Sequence, residues 1–145
     1  MSQQITGHCH CGAIRVILEP SKPTSELPLC ACQCSFCRSR GALTTADPAG
    51  HLFVEAAPGS INRYRFGLRI TDFVLCAECG TYVAATMDVD GAPMAVLNVR
   101  GVDLAGFEGR TPDPMTYDDE GPQERAARRR DRWMPLTLVE VQPSI

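Results

Sequence analysis

Gly7-His8-Cys9-His10-Cys11-Gly12 is the stretch whose reading governs everything around it. Apolar residues alternate on both sides: Ile5 before it, then Ala13-Ile14, Val16 and Leu18 after it. Residues Gln3 to Glu19 therefore read as a hairpin-like unit that carries two thiols in its turn. A second knuckle, Cys76-Ala77-Glu78-Cys79-Gly80, follows over sixty residues later. Both pairs run straight into glycine. A thiolate knuckle aims backbone amides at sulfur, and glycine accepts the positive-φ turn that permits it. Cys9, Cys11, Cys76 and Cys79 are thus paired as one closed tetrahedral site, structural in role and joining the hairpin to the middle of the chain. Zinc is the expected ion, with iron in a four-thiolate site as its rival.

The other four cysteines are Cys30, Cys32, Cys34 and Cys37. On an extended chain Cys30 and Cys34 lie ~13 Å apart at ~3.3 Å per residue. Tetrahedral zinc with ~2.3 Å bonds needs sulfurs only ~3.8 Å apart. Cys32 and Cys34 share a strand face, and Cys37 folds back through a turn. No Gly or Pro between 30 and 34 supplies the bend that would recruit Cys30, which is read as an inert buried thiol. Three protein ligands with an exchangeable fourth position is the arrangement of catalytic zinc. A three-thiolate centre is soft and suits a sulfur donor as fourth ligand. His8 and His10 flank Cys9 and should face away from it. Neither they nor His51 is selected as a ligand, although any could shuttle a proton.

The chain of 145 residues, 44% apolar, reads as a single domain able to bury a core. Eight cysteines, with no basic start or apolar run in Met1 to Gly7, favour a reducing compartment, here the cytoplasm. Disulfides are the competing reading. No apolar stretch approaches the ~18 residues of a membrane span. The formal charge is −3, and divalent ions on four and on three thiolates would take it to about −6. That argues against nucleic acid as the main partner.

The middle of the chain reads as successive antiparallel strands. They are Leu52 to Glu55, Ile61 to Gly67, Ile70 to Leu75, and Tyr82 to Asp88 turning at Asp90-Gly91-Ala92-Pro93 into Met94 to Val99. Ser35 to Arg40 is a short helical turn closed by Gly41. Thr111 to Pro122 reads as a loop, Pro122 to Trp133 as a helix, and Leu136 to Val141 as a last strand. The run Arg128-Arg129-Arg130 reads as a solvated helix face near a C-terminus that favours cations, with a partner or anion site as the alternative.

Three of these motifs resemble the glutathione-dependent formaldehyde-activating enzyme family, which includes centromere protein V. They are Gly7-His8-Cys9-His10-Cys11-Gly12-Ala13-Ile14-Arg15, Cys32-Gln33-Cys34-Ser35-Phe36-Cys37-Arg38 and Cys76-Ala77-Glu78-Cys79-Gly80-Thr81. Ile61 to Phe66 and Val96 to Val99 are similar to it as well. The resemblance covers about residues 3 to 105 and leaves a divergent tail, 106 to 145. It implies a mainly β, zinc-stapled β-tent fold with short helices and two zinc ions per chain. Structural zinc would sit on Cys9, Cys11, Cys76 and Cys79, and a second zinc on Cys32, Cys34 and Cys37. The implied chemistry is carbon–sulfur bond formation or cleavage on a glutathione adduct such as S-hydroxymethylglutathione. Arg38 and Arg40, nearest the triplet, are the first candidates for the adduct's carboxylates, with Arg65, Arg69 and Arg100 behind them. A non-enzymatic zinc module for a protein partner, and redox sensing by the triplet thiols, are the alternatives.

Overall fold

The computed structural model describes residues 3–141; the ends of the single-domain reading, 1–2 and 142–145, lie outside them. The first hairpin forms as its alternation requires. Strands β1 (Ile5–His8) and β2 (Ile14–Glu19) pair antiparallel, Gly7 against Val16. β2 buries Ile14, Val16 and Leu18 and exposes Arg15 between them. β3 (Cys30–Cys32) leads into helix α1 (Ser35–Arg40) and the short β4 (Thr44–Thr45). β5 (His51–Ala56) then lies against β2, placing Leu52, Val54 and Ala56 opposite Leu18, Val16 and Ile14. These pairs are the centre of the main core, with Val74, Val83, Leu97 and Met134 packed around them.

β6 (Ile61–Tyr64), β7 (Asp72–Cys76), β8 (Tyr82–Val89) and β9 (Ala92–Asn98) form the expected antiparallel meander. The tail departs from the antiparallel expectation. β10 (Asp113–Met115) lies inside the segment read as a loop, and it pairs parallel with β3. Its sequence, Asp-Pro-Met, carries no strand signal; Pro is tolerated because β10 is the last strand on its edge. Helix α2 (Pro122–Arg132) crosses back, and β11 (Met134–Glu140) pairs antiparallel with β9 at its start and parallel with β5 beyond it. The result is a mainly β, mixed array of eleven strands among the described residues, ordered β1-β2-β5-β11-β9-β4-β3-β10, with β8, β7 and β6 branching from β9. Both parallel pairs, β3 with β10 and β5 with β11, join strands far apart in the chain, so each has the long connection that parallel strands need.

One buried polar residue ties this frame to the cysteine triplet. Asn98, 4% exposed, donates from Nδ2 to the Tyr82 carbonyl at 2.9 Å and accepts the Leu43 amide on Oδ1 at 3.1 Å. It thereby holds the chain leaving α1 against β8 and β9. Asn98→Ala strands both backbone groups, so a loss of about 2–4 kcal/mol is expected, read as a lower urea midpoint at unchanged slope.

Candidate metal centres and the cavity beside them

The two glycine-ended knuckles meet. Cys9 and Cys11 lie just beyond β1; Cys76 ends β7, and Cys79 lies in the turn to β8. The four sulfurs lie within 4.8 Å of one another. Cys9 to Cys11 is 3.8 Å and Cys11 to Cys76 is 3.6 Å. Gly12 and Gly80 take φ of 85° and 81°, the turn each knuckle needs, and their amides close onto the Cys9 and Cys76 carbonyls. Amides also point at sulfur: Ile14 N–H to Cys9 at 3.3 Å and Cys79 N–H to Cys76 at 3.5 Å. Sulfurs on tetrahedral zinc with ~2.3 Å bonds stand ~3.8 Å apart, so this donor set fits such an ion.

The triplet assembles by a strand-to-helix reversal. Cys32 ends β3, Cys34 caps the N-terminus of α1, and Cys37 lies buried one turn in. The Cys34 sulfur accepts the Cys37 amide at 3.4 Å. These three sulfurs also lie within 4.8 Å of one another. Hydrogen bonds from Cys32 and then Cys37 pull the Cys34 thiol down to about 2. The bond to Cys34 raises Cys32, and bonds to Cys32 and Cys34 raise Cys37. Three soft sulfurs so close together, with an amide aimed at one of them, make a donor set that fits a thiophilic metal.

Neither Cys30 nor a histidine joins either group among the described residues. Cys30 lines the neighbouring cavity, its thiol pushed up by burial and then by the charge of Asp113. His8 bonds the Cys9 carbonyl through Nδ1, and His51 meets the Thr137 hydroxyl at 2.8 Å. His10 is exposed.

Beside the triplet opens a cavity of about 420 Å³, within the roughly 300–1,000 Å³ typical of small-molecule sites. The triplet and Cys30 form one wall; Phe66, Phe73 and Tyr82 belong to an apolar side. Phe36 anchors that side, its ring 4.5 Å from Phe73 and 5.0 Å from Tyr82. Burial, then the negative charge of Cys37, Cys32 and Cys34, keeps the Tyr82 phenol protonated.

The remaining wall was not legible in the sequence. It comes from α2 and the loop before it: Tyr117, Glu120, Arg125, Arg128, Arg129, Arg132 and Trp133. The arginine run is therefore not a solvated face. Only Arg130 of the three is exposed, paired with Asp90 at 2.6 Å. Arg128 grips Glu120 through Nε at 2.7 Å and Nη2 at 3.0 Å and lies over the Tyr117 ring at 3.7 Å. The Arg128 bond holds the Glu120 carboxyl below its usual range. Arg129 is buried, its guanidinium 4.3 Å from the centre of the Trp133 ring. One signal was present: Arg125, Arg129 and Trp133 recur at a spacing of four, on one face, ending in the chain's single tryptophan.

The arginines singled out from the sequence stand elsewhere. Arg38 and Arg40 are exposed on α1, and neither lines the cavity. Arg40 stacks on Phe36 at 3.8 Å and donates to that residue's carbonyl. Arg65 pairs with Asp72, and Arg100 donates to the Gly41 carbonyl. Adjacency in sequence to the triplet does not bring a side chain into the cavity, because α1 turns its basic face outward. No helix among the described residues is long and apolar enough to cross a membrane.

In the crystal structure of a Rhodobacter sphaeroides protein, a structural-genomics target, a chain 27% identical to this one aligns over 77% of this chain and 99% of its own, with a TM-score of 0.53. The sequence model of the glutathione-dependent formaldehyde-activating enzymes matches residues 4–114, a span that contains all eight cysteines. By that match the chain belongs to the glutathione-dependent formaldehyde-activating enzyme family.

Proposed function

We propose that this protein is a zinc-dependent carbon–sulfur lyase acting on an adduct of glutathione or a related thiol, of the S-hydroxymethylglutathione kind. The observation that carries the reading is a group of three cysteine sulfurs, with no fourth donor grouped beside it among the described residues, on the wall of a cavity of small-molecule size. Cys9, Cys11, Cys76 and Cys79 would hold one ion as a staple; Cys32, Cys34 and Cys37 would hold the other. Zinc bound at the triplet supplies a Lewis acid that stabilises a thiolate at neutral pH.

The chain's own groups do the rest. Breaking the adduct converts the S–CH₂–OH carbon to formaldehyde: the carbon–sulfur bond opens, the hydroxyl proton departs, and sulfur leaves as a thiolate. Phe66 and Phe73 border the cavity on an apolar side that keeps bulk water from the reacting carbon. Tyr82 supplies a phenolic O–H on the same wall to hydrogen-bond the adduct's oxygen. All eight cysteines are unpaired, which suits a reducing compartment such as the cytoplasm.

Cobalt(II) at the triplet gives a visible reporter of its ligands. Glutathione at millimolar concentration is expected to change the thiolate-to-cobalt absorption of the loaded protein. An unchanged spectrum with no heat of binding overturns the lyase reading and leaves a zinc-stapled module that docks a protein partner.

A further inference from the structure

Helix α2 lies outside the family-matched span, yet it builds one wall of the cavity that the triplet borders. Its charges do not balance. Four arginines line that cavity, Arg125, Arg128, Arg129 and Arg132, against the carboxylates of Asp118 and Glu120. Glu120 is committed to Arg128 and, at 3.4 Å, to Arg125. Arg129 is the one buried member of the set. It is 6% exposed, and no carboxylate of the described residues pairs with it. Its hydrogen bonds run from Nη1 alone, to the Thr71 hydroxyl and the Met87 sulfur. Its Nε is buried without a partner.

A buried guanidinium without an anion is costly, since neither its charge nor its donors are compensated. The helix dipole does not explain it: Arg130 and Arg132 sit exposed in the same last turn and meet that need without burial. Burial also pulls the Arg129 pKa down to about 9, a strain that an anion would relieve. The Nη1 bonds and the Trp133 ring hold the guanidinium plane, and no described residue accepts a hydrogen bond from its Nε and Nη2 edge. That edge is the fork that matches a carboxylate with two parallel hydrogen bonds.

We infer that α2 forms an anion site in the cavity that Cys32, Cys34 and Cys37 also line, centred on Arg129 with Arg125 beside it, and that this site selects thiols bearing a carboxylate over neutral thiols. The substrate class rests on the thiol chemistry proposed for the triplet; the anion site itself rests on α2. Glutathione and small mercaptocarboxylates share the required chemistry. Glutathione and its diethyl ester form the pair that tests the larger ligand; 3-mercaptopropionate and 2-mercaptoethanol form the pair that tests the smaller.

Trp133, the only tryptophan, lies against Arg129 and reports the site without any turnover. With metal-loaded protein, propionate and 3-mercaptopropionate are each expected to shift its emission, and 2-mercaptoethanol is not. By calorimetry 3-mercaptopropionate should bind roughly ten- to a hundredfold more tightly than 2-mercaptoethanol, the range for a charge-assisted pair. Arg129→Met, which keeps the packing on Trp133, should erase that preference and leave 2-mercaptoethanol binding within about twofold. Arg125→Gln, at a half-buried position, should weaken the preference. A preference that is absent in the unaltered protein, or that survives Arg129→Met, overturns the inference while leaving the thiol reading intact. Loss of both thiols with the propionate response retained, and removed by Arg129→Met, supports the anion site and defeats the thiol reading instead.

Discussion

Cys76→Ser should melt roughly 10–20 °C below the unaltered protein and lose the structural ion. Loss of a structural metal ranks among the substitutions that cost more than ~4–5 kcal/mol, against a total stability of ~5–15 kcal/mol for a domain. At this chain length each kcal/mol moves the midpoint by roughly 3–4 °C. The position concentrates the effect. Cys76 is buried, and its sulfur stands 3.6 Å from that of Cys11, a residue sixty-five positions earlier. Without that junction, β1 with its turn keeps its pairing to β2 and two single bonds, His8 amide to the Val102 carbonyl and His10 amide to the Thr81 hydroxyl, and the β7–β8 turn loses its anchor. Thermal melts with and without a chelator, alongside metal quantitation, make the check. A Cys76→Ser protein that melts within a few degrees of the original, in chelator, would show that the hydrophobic core alone carries the fold.

Cys34→Ser should do the opposite: it should leave the fold and remove the chemistry. Cys34 is the N-cap of α1, where its sulfur accepts the Cys37 amide. Serine is a preferred N-cap, and its hydroxyl can take that same amide. The helix should therefore persist with no more than a small change in melting temperature. The triplet keeps two sulfurs, too few for tight zinc at neutral pH. Metal content is expected to fall from two ions per chain to about one, and turnover of the adduct by on the order of 10³ or more, the scale on which removing a key stabilising group acts. Activity retained with a single ion would remove the triplet from the mechanism. Two ions retained would mean that a further protein donor had closed the site.

The contrast between these two variants also marks what was readable along the chain. The cysteine clusters announce themselves because each knuckle is a local matter of spacing. Cys9-x-Cys11-Gly and Cys76-x-x-Cys79-Gly each form a knuckle from adjacent residues, and Cys34 and Cys37 are joined by one helical turn. Alternation likewise exposes β2 and β5, whose buried residues sit two apart. β10 was invisible because Asp113–Met115 is a strand only by virtue of the β3 edge it meets. The arginines misled for a similar reason. Charge in a run is usually solvated, and the four-residue spacing of Arg125, Arg129 and Trp133 was the one local sign that Arg129 turns inward while Arg130 turns out.

Residue order thus settled the cysteine knuckles and the alternating strands, since both depend on interactions within a few positions. The cavity needed distant segments to meet: α1 from one end, β8 from the middle and α2 from the tail, whose wall of arginines faces sulfurs some ninety positions away. Long-range packing places charge where solvation would never put it, and no window along a chain contains that information.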